Sequence, residues 1–107
     1  MPGMFGRLKI TVEETPNPNA RKFNLTQPLT PGDRRSYYTP DAAADDPIAA
    51  RLFEIRHVTA VMLLGDFCTV NKTPQGRWTT ITPKVKAALK AAVKGKGVEG
   101  PRAQGVE

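Results

Sequence analysis

The side chains in this 107-residue chain that could do chemistry are few and scattered. There is one cysteine, Cys68, and one histidine, His57. A solitary thiol excludes an intrachain disulfide and a multi-cysteine metal site. It also falls short of the four thiolates that an iron–sulfur cluster takes from protein. Cys68 lies between Phe67 and Thr69 in an extended stretch, on the same face as Val70. Free cysteine in that setting behaves as a small buried hydrophobe, the alternative being a ligand shared between two chains. His57 has no second histidine or cysteine with which to complete a ligand set, and it reads as a surface turn residue. Glu13 and Glu14 are adjacent, and adjacent strand residues project to opposite faces, so they do not converge as an acid–base dyad. There is no nucleophile–base pairing, glycine-rich phosphate loop or zinc signature. The expectation is a protein that is not an enzyme and that carries no metal or cofactor of its own.

Chemistry by contact is better represented. Residues 14–23 read ETPNPNARKF. Prolines lower the ordering cost of binding, and asparagine amides offer donors and acceptors. Thr15, Pro16, Asn17, Pro18, Asn19, Arg21 and Lys22 are therefore the candidate partner-binding residues. The competing reading is a stiff turn whose asparagines bond their own backbone. Trp78, Tyr37 and Tyr38 could stack nucleic-acid bases beside basic residues, although Trp78, opening an amphipathic helix, also suits packing over a core. The formal net charge of +6 and the pI near 9.8 favour acidic partners, nucleic acid among them. The lysines concentrate toward the C-terminal end, while Asp41, Asp45, Asp46 and Glu54 oppose them mid-chain, so a small basic nucleic-acid-binding module stands as the alternative reading.

The elements that must position these residues follow from periodicity. Residues 8–14, LKITVEE, alternate apolar and polar and predict a half-buried strand. The two prolines and two asparagines of residues 15–19 stop it. Residues 20–26 resume with Phe23 and Leu25 inward, completing a hairpin-like pair. Residues 27–44 are punctuated by Pro28, Pro31, Gly32 and Pro40, with residues 36–39 as a short edge strand and residues 41–45 as loop or turn. Asp46 suits an N-cap and Pro47 the first helical position, opening a helix expected to end near Arg56 and His57. Residues 58–64, VTAVMLL, are apolar on both faces and predict a central strand. Gly65-Asp66 is a two-residue turn signal, and residues 67–72 form the returning strand. A second helix is expected from Thr80 or Thr82, with Ile81, Val85, Ala88, Leu89 and Ala92 on one face. Lys86, Lys90 and Lys94 lie opposite, and Gly95 ends it. Residues 1–7 are expected to be flexible and residues 95–107 to form a disordered basic tail. No run approaches the roughly 18 apolar residues of a membrane span, and residues 1–9 lack a signal-type apolar stretch. A cytoplasmic protein without a membrane partner is the expectation. The fold class expected is α+β, an antiparallel or mixed sheet of four or five strands with both helices on one face.

Three segments together resemble one family. Residues 14–23 resemble the Thr-Pro-Asn-Pro-Asn-Ala-x-Lys-Phe signature of the N-terminal domain of Nfu/NifU-type iron–sulfur cluster scaffold proteins. Residues 46–55, DPIAARLFEI, resemble its first-helix motif of Ser-Pro-Leu-Ala followed by Leu-Phe. Residues 58–72, with Trp78, Ile81 and Pro83, resemble its hairpin and final-helix opening. The resemblance covers residues 8–93. In that family this domain usually precedes one carrying Cys-x-x-Cys, which holds the cluster between two protomers. No such pair occurs here, so the resemblance implies a stand-alone N-terminal module. It implies an accessory or adaptor role in cluster assembly or delivery, meeting an iron–sulfur carrier or apo-target protein. One departure is Arg56-His57, where the family commonly has Pro-Gly.

Overall fold

The computed structural model describes residues 8–98, with side chains to residue 93. The strands are β1 (Ile10–Glu14), β2 (Ala20–Leu25), β3 (Arg34–Tyr37), β4 (Val58–Leu64) and β5 (Phe67–Lys72), with helices α1 (Pro47–Phe53) before β4 and α2 (Trp78–Val98) after β5. The strands form one sheet in the order β1-β2-β5-β4-β3, antiparallel at every junction. The α+β expectation therefore holds. Of the residues expected to form flexible ends, 1–7 and 95–107, residues 1–7 and 99–107 lie outside the described residues, while 95–98 belong to α2.

Register explains the core. Val12 sits opposite Phe23, Phe23 opposite Cys68, and Cys68 opposite Leu63. These rungs put one apolar row on the face where Leu52 of α1 and Ile81, Val85 and Leu89 of α2 join it. Cys68 is fully buried within this cluster. Burial pushes its thiol up to about 12, because a thiolate there would lose its hydration.

The start of α1 is built as the sequence indicates. The Asp46 carboxylate accepts from the Ile48 and Ala49 amides at 3.1 and 3.2 Å, with Pro47 at the first helical position. Its second oxygen accepts the Tyr37 hydroxyl at 2.8 Å and lies 3.6 Å from Arg35 Nη1. Burial, and then the bond to Asp46, hold the Tyr37 phenol above its usual range. Arg35 also meets Asp33 at 2.8 Å, which lowers the Asp33 carboxyl.

Several boundaries and one strand position differ from expectation. The edge strand occupies Arg34–Tyr37 rather than residues 36–39, because Arg34 pairs with Leu64 and Tyr37 with Val61, leaving Tyr38 74% exposed beyond the ladder. The central strand is β5, and β4 lies one place from the edge. Helix α1 stops at Phe53: Glu54 caps it, and His57, at φ +78, reverses the chain into β4. That left-handed φ is where the resembling family has glycine. Helix α2 begins at Trp78, not at Thr80 or Thr82, since Ile81 N–H donates to Arg77 O at 2.9 Å. Pro83 is thus inside the helix and leaves the Thr79 carbonyl without its usual donor. Gly95 does not end α2, which continues to Val98; glycine costs about 1 kcal/mol in a helix but does not forbid it. Among the described residues no helix is long and apolar enough to cross a membrane.

Candidate functional site

The loop between β1 and β2 is closed by its own side chains. The Thr15 hydroxyl lies 2.9 Å from Asn17 O and 3.0 Å from Ala20 O, and accepts from the Asn17 amide at 3.1 Å. The Asn19 amide donates to Asn17 Oδ1 at 2.9 Å, and the Ala20 amide to Asn17 O at 3.0 Å. The Asn17 side chain therefore bonds the loop's own backbone, as one of the two readings expected of both asparagines, whereas the Asn19 side chain turns to a residue outside the loop.

Two residues outside the loop pin it to the fold. Trp78 Nε1–H donates to Pro18 O at 2.9 Å. Lys72 Nζ donates to Asn19 Oδ1 at 2.9 Å and to Thr73 O at 3.2 Å, while the Lys72 amide donates to Asn19 O at 2.8 Å. Lys72 is only 8% exposed, and no carboxylate lies within ion-pairing distance of it among the described residues. Its charge is met instead by those two oxygens and by the Trp78 ring, whose centroid is 5.7 Å away.

Arg21 completes this cluster. Its guanidinium lies 5.2 Å from the Trp78 ring centroid, Nη1 donates to Thr82 Oγ1 at 3.4 Å, and Nη2 is 3.8 Å from Glu14 Oε2. The Trp78 ring leans on Phe23 with centroids 6.5 Å apart and planes at 55°. A hollow of about 260 Å³ remains between the loop, Glu14, Arg21 and Trp78. The Nδ2 groups of Asn17 and Asn19 have no protein partner among the described residues.

The structure gathers Thr15, Pro16, Asn17, Pro18, Asn19 and Arg21 here, and it separates Lys22 from them. Lys22 is on the opposite face of the sheet, its Nζ 4.3 Å from the Phe67 ring centroid and 3.8 Å from Glu13 Oε1. The alternation of strand side chains requires this. Sequence reasoning did not place Lys72 at the loop. Its parity with Cys68 and Val70 in β5 was the available signal for an inward lysine.

The other candidates are structural in their surroundings. His57 Nδ1 lies 2.9 Å from Thr73 Oγ1, and the Thr73 amide donates to His57 O at 2.9 Å, tying the α1–β4 turn to the end of β5. No group of three or more histidine, cysteine, aspartate or glutamate side chains able to hold a metal ion occurs among the described residues. The three aromatics considered for base stacking do not share a platform. Trp78 is engaged with Pro18, Arg21 and Lys72, Tyr37 with Asp46, and Tyr38 stands apart.

Residues 10–96 match the family model described as the scaffold protein Nfu/NifU N terminal. The human protein named NFU1 iron-sulfur cluster scaffold homolog, mitochondrial, is 35% identical over 81 residues, which is 75% of this chain and 32% of that protein. A NifU-like protein of Schizosaccharomyces pombe is 33% identical over 82 residues, again 75% of this chain and 32% of the relative. This chain thus spans about a third of the length of these two relatives. Among solved structures, a Staphylococcus aureus protein superposes with a TM-score of 0.65 at 27% identity, covering 76% of this chain and 98% of that one.

Proposed function

Given that the chain belongs to the Nfu/NifU N-terminal family of scaffold proteins, we propose that it serves iron–sulfur cluster assembly or delivery as a non-enzymatic accessory. It would act by touching a cluster carrier or apo-target protein through the loop of Thr15, Pro16, Asn17, Pro18 and Asn19, with Arg21 beside it. The observation that carries this reading is that the loop is already fixed before any partner arrives. Trp78 and Lys72 hold its backbone from below, and the Asn17 and Asn19 amide nitrogens are left over among the described residues. A surface ordered in advance loses little conformational entropy on binding. Cluster holding by this domain is disfavoured by the same geometry, since Cys68 is its one cysteine and lies in the core.

A photo-cross-linker placed at Asn17 tests the proposal. The expected products are iron–sulfur carrier or acceptor proteins, lost when Asn17 and Asn19 are both changed to alanine in a chain that still melts as the native one does. Cross-links to iron–sulfur proteins that ignore those substitutions, or none at all, would remove the loop as the contact site.

A further inference from the structure

Among the described residues the sheet is covered on one side only. Parity and register place Ala60, Met62 and Leu64 of β4 and Phe67 of β5 on the face turned away from both helices, and none of them packs against the core cluster. An antiparallel sheet with one open face normally presents polar residues there. Here β4 is apolar on both sides, and its outward row adjoins Phe67 across the ladder, Leu64 opposite Phe67 and Met62 opposite Thr69. A contiguous apolar strip on an otherwise polar surface marks a contact site.

The charges around the strip indicate what it meets. Lys9 and Arg34 stand at the two edges of this face, both exposed, and neither has a carboxylate within ion-pairing distance among the described residues. Lys22 lies over Phe67. Glu13, which shares the face by register, is already engaged by Lys22 at 3.8 Å and by Asn24 Nδ2 at 3.0 Å, and Asp66 is exposed in the β4–β5 turn at the end of the strip, so the cations Lys9, Lys22 and Arg34 outnumber the carboxylates there. From this we infer that the open face docks a protein segment that brings apolar side chains within a rim of carboxylates. A second copy of the chain fits poorly, because face-to-face pairing would oppose Lys9, Lys22 and Arg34 with the same cations. A lipid surface fits poorly too. Met62, Leu64 and Phe67 are half-buried in a sheet surface and do not project as inserting side chains must. The face is distinct from the β1–β2 loop and its hollow, so either contact can fail without the other.

The test is a nitrogen-15 NMR titration of the full chain with a synthetic amphipathic helical peptide carrying a leucine stripe flanked by glutamates. The expected result is amide shifts at Lys22, Met62 and Thr69 that saturate, weaken as salt rises, and leave Asn17 and Asn19 unmoved. Changing Arg34 to glutamate (Arg34→Glu), an exposed edge substitution that leaves the core intact, should weaken binding roughly tenfold. Met62→Lys should abolish it, with thermal unfolding to check the fold. Equal binding of the same peptide with lysines in place of glutamates would overturn the inference. So would shifts confined to the loop, no binding at low salt, self-association in sedimentation, or shifts that appear only with phosphatidylglycerol vesicles.

Discussion

Replacing Trp78 with phenylalanine isolates the contact on which the loop's rigidity depends. The substitution keeps an aromatic ring against Phe23 and below Arg21 but removes the indole N–H that donates to Pro18 O at 2.9 Å. A hydrogen bond of this kind contributes about 0.5–1.5 kcal/mol net. The Pro18 carbonyl sits at an exposed site and regains water, which favours the lower part of that range. Loss of the larger ring weakens the attraction to Arg21 and Lys72 by about 0.5 kcal/mol more. The expected destabilisation is therefore about 1–2 kcal/mol. For a domain near 100 residues that lowers Tm by roughly 4–16 °C. Circular dichroism melts give the stability, and hydrogen exchange at the Asn19 and Ala20 amides gives the local effect. Exchange at those amides should rise by more than global destabilisation alone explains, because both bonds belong to the loop that Trp78 pins. A melt within a degree of the native one, with unchanged exchange, would refute the reasoning that the indole fixes the loop.

Asp46→Ala removes a helix cap and leaves the Tyr37 hydroxyl without its acceptor; denaturant unfolding should show a loss of about 2–3 kcal/mol. Gly76→Ala would bring a methyl group to 2.9 Å from both His57 Cβ and Ile81 Cδ1, costing about 1–3 kcal/mol through displacement of the α1–β4 turn; chemical shifts of Thr73 and His57 should move with it. Cys68 gives a pH prediction. Its folded pKa, raised to about 12, lies above the thiol's ordinary value of 9.0, so its contribution to stability is complete below pH 9 and is lost as pH climbs toward 12. Tyr37, also raised from 10.0, acts in the same direction. Denaturant midpoints measured across that range should fall less steeply for Cys68→Ala than for the native chain. A thiol reagent at neutral pH should label the native protein only as fast as it opens.

The sequence carried some of this organisation plainly and hid the rest for identifiable reasons. Alternation in residues 8–14 and 20–26 defines β1, β2 and their facing, since inward and outward positions differ in polarity there. Asp46 with Pro47, and Gly65 with Asp66, are local signals that owe nothing to tertiary contacts, and both hold; Gly65 takes φ +59. Helix α2 was harder to delimit. Two candidate caps, Thr80 and Thr82, compete around Pro83 near its beginning, while the residue that opens it, Trp78, is placed by Pro18, Phe23 and Arg21 at long range. The edge strand slipped by two residues because Tyr37 is fixed by Asp46 on a different element. The loop was legible as a stiff turn, yet its anchors were not. Lys72 is a buried cation satisfied by Asn19 and Trp78, residues that only the fold brings near. Arg21 and Lys22, adjacent in the chain, serve opposite faces, a separation that strand parity requires and that composition conceals.

Anaerobic incubation of the purified full chain with ferrous iron, sulfide and thiol, followed by desalting and iron analysis, addresses most directly whether this domain acts by contact. With its one thiol inside the core, the chain should emerge colourless and essentially free of iron and sulfide. A brown monomer with stoichiometric iron and sulfide, lost on Cys68→Ser, would contradict the account.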